Sequence, residues 1–383
     1  MFFLTGIFLL NFLSRIILAP LMPAIENDLG ITHGEAGSLF LLISIGYSTA
    51  LLGSGFLSSR ISHRKIIILS SITTGMALFV IALSHSWFEM RLGLIFLGLS
   101  AGLYLPSGMA IITSLINYKH WGKAIAIHEL APSLAFIAAP LLSETFMKCC
   151  PWKGVLVIIG VTSILAGLSF TFLSRGGEFR GAAPNYRNVR ILLSQRAFWI
   201  MAVLFSLAIA ASIGVYSMLP LYLVAERGVE RTLANTLIAF SRIPVLVVAL
   251  IAGWVSDRIG PKLTIKCVLI FNGIMTIFLG MAPGNWVFLI IFLQPMLSVC
   301  FFPAAFTVLS NIVPPQLRNI SISATVFFAY LMGAGLIPTV MGTLGELHSF
   351  ALAIVLVGGL IFTSVILLRH LEISNGEESG KYS

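Results

Sequence analysis

Charge is what this 383-residue chain has least of. Only 10% of its residues are Asp, Glu, Lys or Arg, while 58% are hydrophobic and the mean hydropathy is +1.01. A soluble domain carries about 25% charge, so the deficit excludes a large soluble protein built around a big core. Acids are scarcer than bases, 14 against 23, which leaves a formal net charge of +9. The four cysteines, Cys149, Cys150, Cys267 and Cys300, have no metal-ligand spacing. Structural roles are expected for them, and no metal site. No Ser/His/Asp or His-cluster arrangement supports catalysis, and no loop is long enough and glycine-rich enough to hold a nucleotide. No cofactor is expected. The apolar runs also lack the period-two alternation of barrel strands.

Those runs are what the chain has instead. Stretches of eighteen or more apolar residues recur, and each is long enough to cross a bilayer as a helix. A span must satisfy its own backbone polar groups in lipid, which leaves helices once barrels are excluded. Twelve spans are predicted, at about 2–24, 36–58, 66–84, 88–110, 122–146, 153–173, 197–220, 232–255, 263–282, 286–308, 320–343 and 350–368. The first has no basic start and no small-residue cleavage site, so it reads as a retained helix. One long polar connection, Ser174 to Gln195, carries Arg175, Glu178, Arg180, Arg187 and Arg190 with Gly176, Gly177 and Pro184. It divides the chain into a six-helix bundle at 1–174, a linker at 175–195 with a short surface helix, a second bundle at 196–371 and a tail at 372–383. The expected fold is an all-α integral membrane protein with two pseudo-symmetric six-helix bundles.

The bases fix the orientation. With both termini in the cytoplasm, sixteen Lys and Arg, among them Lys119 and Lys381, fall inside. Only Arg91, Lys148, Lys153, Arg227 and Arg231 fall at or near the outer surface. Cytoplasmic loops carry such an excess, so a bacterial cytoplasmic (inner) membrane is expected. Because the bases sit in short loops between spans, the net charge points to membrane lipids rather than to a nucleic-acid partner. Small and bending residues gather in the fourth span (Gly93, Gly98, Gly102, Pro106) and the eleventh (Gly333, Gly335, Pro338, Gly342), where close helix packing accounts for them.

Two loops repeat. Gly253, Asp257, Arg258 and Gly260, with Lys262, follow the eighth span; Gly55, Arg60, Arg64 and Lys65 follow the second, with Ser59 and Ser62 at the places of Asp257 and Gly260. A repeat in equivalent places of two halves marks internal duplication. With twelve spans, this pattern resembles the major facilitator superfamily over the whole chain. Arg91, Gly98 and Gly102 also resemble its fourth-span pattern, and Ala139-Pro140 its fifth-span glycine-proline signature, with Ala for Gly. The resemblance implies a transporter fold in which the paired loops gate conformational change by bracing the cytoplasmic side in the outward-facing state, with Arg91 as a further gating candidate nearer the outer end of its span. The changes at Ser59 and Ser62 are expected to weaken the first-half latch and favour inward-facing states. The altered fifth-span signature argues against drug–proton exchange.

The remaining two arginines, Arg15 and Arg242, lie inside the first and eighth spans. A buried arginine costs about 2.5–3.5 kcal/mol on insertion scales, so it faces a cavity or a partner. Each lies near mid-membrane, one in each half, with no acid nearby in its own helix. A guanidinium is a fixed fork of donors that suits a carboxylate or phosphate. Substrate coordination is the preferred reading; an ion pair with Glu129 is the alternative. Glu129, after His128 in the fifth span, is the only acid read as well inside a span, and the pair is the candidate proton-coupling group. A His128 bond to a backbone carbonyl near Pro132 is the competing structural role. Further substrate contacts are expected from Asn11, one turn before Arg15 and on its face, and from Tyr104, Tyr216, Gln294 and Tyr330. Ser107 is a weaker candidate. Phe240, Phe301, Phe302, Phe327 and Phe328 form an apolar wall or face lipid. The expected function is secondary transport of a small organic anion, a carboxylate moved with protons by symport, with the proton gradient as driving force and a monomer sufficient. The alternative is proton-driven efflux of an amphipathic drug, lipid or metal chelate.

Overall fold

A computed structural model describes residues 1–117, 120–174, 176–181, 186–313 and 317–371. Lys119, Arg175, Pro184 and the 372–383 tail with Lys381 lie outside the described residues. Among the described residues, twelve helices are long and apolar enough to span a membrane: α1 (Phe2–Leu29), α2 (His33–Arg60), α3 (His63–Leu83), α4 (Trp87–Leu115), α5 (Lys123–Phe146) and α6 (Trp152–Leu173), then α7 (Arg196–Glu226), α8 (Arg231–Ile259), α9 (Pro261–Met281), α10 (Trp286–Asn311), α11 (Ile320–Leu347) and α12 (Phe350–His370). The shortest have 21 residues. At about 1.5 Å per residue that is about 32 Å, enough for a hydrocarbon layer of about 30 Å. The protein is an integral membrane protein, and among the described residues there is no strand.

Local sequence sets the helix ends. Thr32 and Glu35 form a reciprocal capping box at the start of α2, and Ser86 with Glu89 does the same for α4. The exposed Glu230 caps α8 by accepting from the backbone N–H groups of Thr232 and Leu233, each at 2.9 Å. Those bonds hold its carboxyl below the usual carboxylate range. Gly260, at φ +91°, makes the reversal between α8 and α9 that a side chain would strain.

The two halves pack alike. In the first, α2 lies on α4, α3 on α6 and α1 on α5. In the second, α8 lies on α10, α9 on α12 and α7 on α11, the same pairing shifted by six helices. The expected glycines serve these crossings. A Cβ on Gly98 would run into the Ile43 carbonyl of α2, and one on Gly46 into the Ile95 carbonyl of α4. Gly214 and Gly333 bring α7 and α11 together where both helices loosen into π turns, Ala210–Gly214 and Tyr330–Leu336.

Between the halves, α2 packs on α11, α5 on α8 and α1 on α7. One membrane face carries the linker, with its helix Tyr186–Leu193 held through Leu192 in a cluster with Phe198, Val313 and Leu317. The opposite face carries a dense set of bonds between the halves. The Glu144 carboxylate of α5 meets Arg231 Nε at 3.1 Å and accepts from Asn235 Nδ2 at 2.6 Å and Thr232 Oγ1 at 3.2 Å, all on α8. Asn235 also donates to the Pro20 carbonyl of α1, and Glu346 accepts from the Gly34 N–H. Those bonds tie the two halves together on that far face.

Candidate functional site between the two halves

Arg15 and Arg242 converge on one aromatic junction at the contact of the halves. Both are buried, with 6% and 7% of their surface exposed. The Arg15 guanidinium lies 4.1 Å from the ring centre of Tyr47, 4.8 Å from Phe12 and 5.4 Å from Tyr330. Arg242 lies 4.6 Å from Phe136 and 5.0 Å from Tyr216. Phe12 and Phe136 touch edge to face at 5.3 Å, so they join the two arginine boxes into one cluster drawn from α1, α2, α5, α7, α8 and α11.

The arginines have almost nothing else to bond. Arg15 Nε and Nη2 have no hydrogen-bond partner, nor has Arg242 Nε or the Tyr216 hydroxyl. Arg242 Nη2 makes one long bond, 3.4 Å, to the Ser212 carbonyl in the π turn of α7. The ion pairs among the described residues do not include either arginine. A ring face attracts a cation by about 0.5–2 kcal/mol. It offsets part of the burial cost but carries no charge, so the positive charge stays available. Two guanidinium groups without an acid partner in an aromatic setting leave positive charge that a carboxylate or phosphate can neutralise.

The other candidates divide. Tyr216 and Tyr330 belong to this junction. Asn11 donates to the Ala101 carbonyl on α4, and its side chain lines a small polar cavity with Ser71, Thr74 and Ser163 inside the first half. Its short amide stays on the bundle face of α1, whereas the longer Arg15 reaches toward α2 and α11. Gln294 donates to the Ala211 carbonyl and to Thr276 Oγ1, bracing the π turn of α7. Tyr104 and His128 stack with Phe8, and Ser107 bonds His63. Glu129 is half exposed and lies 3.3 Å from His128 Nδ1. Phe301 packs on Phe205, Phe327 on Phe328, and Phe240 is exposed. Sequence reading missed Phe12, Tyr47 and Phe136 in the junction, and Glu144 on the far face. Only Glu144 left a trace, as an acid in the last two turns of a predicted span.

The model of the Major Facilitator Superfamily matches residues 4–243 and 218–381. The chain belongs to that superfamily. It is 24% identical to a "Probable L-galactonate transporter" of Escherichia coli K12 over 169 residues, 44% of this chain and 37% of that protein. It is 21% identical to "Multidrug resistance protein MdtL" of Klebsiella pneumoniae 342 over 214 residues, 55% of this chain and 54% of that one. A "Probable 4-methylmuconolactone transporter" of Cupriavidus pinatubonensis is 22% identical over 357 residues, 87% and 82% of the two chains. The first two matches thus span less than two thirds of those relatives. The fold is similar to that of a bacterial homologue of the human lysosomal transporter Spinster in an inward-facing, occupied conformation (TM-score 0.83, 16% identity, 97% of this chain and 95% of that one). It is also similar to a D-xylose–proton symporter (TM-score 0.80, 13% identity, 96% of each chain).

The superfamily loops lie on the linker face. In the second half, Asp257 and Arg258 are exposed, and Arg258 stacks 4.1 Å from Trp254 on its own helix. Gly253 has open space around it, and Lys262 donates to the Leu371 carbonyl. In the first half, Gly55 lies in the last turns of α2 and Arg60 is exposed, but Arg64 finds an acid from elsewhere. Glu178 of the linker binds its Nη1, and the linker backbone straps on beside it through Gly181 N–H to the Ser58 carbonyl and Arg64 N–H to the Gly177 carbonyl. Arg91, half-buried near the far face, stacks 4.7 Å from Trp87 of its own helix.

Proposed function

We propose that the protein carries a small organic anion, a carboxylate, together with protons, by symport and alternating access. The observation that carries this reading is the pair of buried arginines, one from each half, whose free N–H groups meet no carboxylate. An Arg–carboxylate pair is strong because two parallel charged hydrogen bonds form at once. An anion held by α1 and α8 together joins the halves at their centre, so closing around it follows from binding. Glu129, half exposed beside His128, is the proton-coupling group of this reading. Two of the relatives support the substrate class by name: L-galactonate is an organic anion, and 4-methylmuconolactone carries a carboxyl group.

The surplus of bases on the linker side supports a cytoplasmic linker face with both termini there, in a bacterial inner membrane. Each chain contains a complete two-half pathway, so a monomer suffices. The MdtL relatives favour a second reading, efflux of an amphipathic drug. A cationic drug would be repelled by two uncompensated arginines, which places this reading second.

The test is binding of labelled carboxylates to the purified protein. Wild type binds at least one member of a panel of sugar acids, monocarboxylates and dicarboxylates, while Arg15→Ala and Arg242→Ala each bind it much more weakly. Unchanged binding in both variants, or binding of lipophilic cations alone, overturns the reading.

A further inference from the structure

Inside the first half, apart from the arginines, four polar side chains converge on one small space. Asn11 of α1, Ser71 and Thr74 of α3 and Ser163 of α6 line a cavity of about 10 Å³, with Ile7, Leu10 and Ala166 as its apolar walls. The four are between 1% and 6% exposed. Asn11 Oδ1, Ser71 Oγ, Thr74 Oγ1 and Ser163 Oγ all lack a hydrogen-bond partner. The lining contains no carboxylate, ammonium or imidazole.

The direction of the Asn11 amide is fixed at its other end. Nδ2 lies 3.1 Å from the Ala101 carbonyl of α4. A carbonyl only accepts, so the amide nitrogen faces Ala101 and the amide oxygen is left to find a donor elsewhere. None of the three hydroxyls is placed to bond it. The hydroxyls also depart from the habit of their own helices. Thr73 of α3 and Thr162 of α6 donate back to the Leu69 and Ile158 carbonyls, whereas Ser71, Thr74 and Ser163 make no such bond. The second half meets the same need with a longer side chain. Among the equivalent helices α7, α9 and α10, Gln294 donates to the Ala211 carbonyl and reaches Thr276 Oγ1 directly, at 3.3 Å. Asn11 is one methylene shorter and has no hydroxyl in reach.

Buried polar groups are costly unless bonded, and four around one cavity call for a shared partner. That partner has to fit a space of about one water molecule, for which about 10–15 Å³ is needed. It has to give Asn11 Oδ1 a proton or a positive charge. A sodium ion would meet four neutral oxygens and no acid, one helical turn from the buried Arg15, where like charges repel strongly. A water has two protons to give and two lone pairs to receive, and two to four polar partners are what a buried water requires. We propose that the cavity is a hydration site, in which one water molecule joins Asn11 of α1 to Ser71 and Thr74 of α3 and Ser163 of α6. The water holds the amide oxygen while Ala101 holds the nitrogen. Asn11 then clamps α1 to α4 just before the interruption of α4 at Leu103, where Pro106 takes a donor out of the helix. The site asks nothing of the anion or the proton, so it stands or falls apart from the transport reading.

The test is a density map of the full-length protein at a resolution that shows ordered waters, in choline chloride so that sodium is absent. Wild type shows a single peak within about 2.5–3.2 Å of Asn11 Oδ1 and of at least two of the three hydroxyl oxygens. The same peak, at the same distances, is expected in sodium chloride. Thr74→Val combined with Ser163→Ala removes two hydroxyls while keeping the shape at Thr74, and the peak is lost. A wild-type map without the peak, with the hydroxyls turned back to their own helices, overturns the proposal. So does a peak that persists unchanged in the double variant. A peak that needs sodium makes this a cation site and overturns the assignment to water. The wild-type maps are sufficient to contradict the proposal, so the test does not depend on the folding of the variant.

Discussion

At the scale of single residues, the arginines and their rings make the sharpest expectations. Arg242→Ala removes a guanidinium whose charge-assisted bonds are worth about 1.5–3 kcal/mol, so carboxylate affinity falls by about 10–150-fold in a binding titration. Arg15→Lys keeps the charge but loses the fork and the flat face against Tyr47. It therefore behaves nearly as Arg15→Ala does, which a Kd comparison of the two checks. The arginines were legible in the sequence because a guanidinium in an apolar run has few reasons to be there. Their rings were not legible. The chain has 28 Phe and 8 Tyr, and nothing in the pattern separates Phe12, Tyr47 or Phe136 from rings that face lipid or fill a core. Asn11 shows the limit of spacing as a guide: four residues from Arg15, it bonds Ala101 inside its own bundle, because a short side chain cannot leave its helix face. Glu144 drew no role from the sequence, because its three donors from α8 appear only when the halves meet.

At the scale of helices, all twelve spans were legible, since each needs only length and hydropathy. The π turns of α7 and α11 were not, because they arise where Gly214 and Gly333 let two backbones approach. The same closeness between α2 and α4 gives a stability prediction. Gly98→Val pushes a side chain into the Ile43 carbonyl and destabilises the first bundle by about 1–3 kcal/mol, as overpacking does, lowering Tm in a thermal scan. Gly53→Ala, on the same α2 but in open space, leaves Tm unchanged. Glu230 gives a pH prediction. Its carboxyl is held low by two backbone N–H groups, so its cap on α8 is fully present above the usual carboxylate range. The cap is lost as pH falls through the lowered value. Glu230→Gln removes the charge and with it that acid-side dependence, seen as a flatter Tm profile below about pH 5.

At the scale of the whole molecule, the two halves are tied on the far face, and the linker reinforces the first-half loop. Glu144→Ala leaves Arg231 without its acceptor and Asn235 with only the Pro20 carbonyl, a loss of about 1–3 kcal/mol in the contact between the halves on the far face. A cysteine placed at the buried Ala19 of α1 then reacts at least several-fold faster with a membrane-impermeant thiol reagent in that variant. Unchanged labelling would mean that Glu144 does not hold the face shut. The linker contact adds a bond to the first-half loop that the sequence did not show: Glu178 reaches Arg64 from more than a hundred residues away. Pairing across such a distance has no local signature. The measurement that tests the central account most directly is uptake into proteoliposomes. The panel of labelled carboxylates would be run with and without an inward proton gradient, in wild type, Arg242→Ala and Glu129→Gln. The account predicts carboxylate accumulation that follows the gradient in wild type, loss of uptake in Arg242→Ala, and loss of gradient-driven accumulation with anion exchange retained in Glu129→Gln. Robust movement of a lipophilic cation with no carboxylate flux would contradict it, and would make the two arginines braces of an exporter.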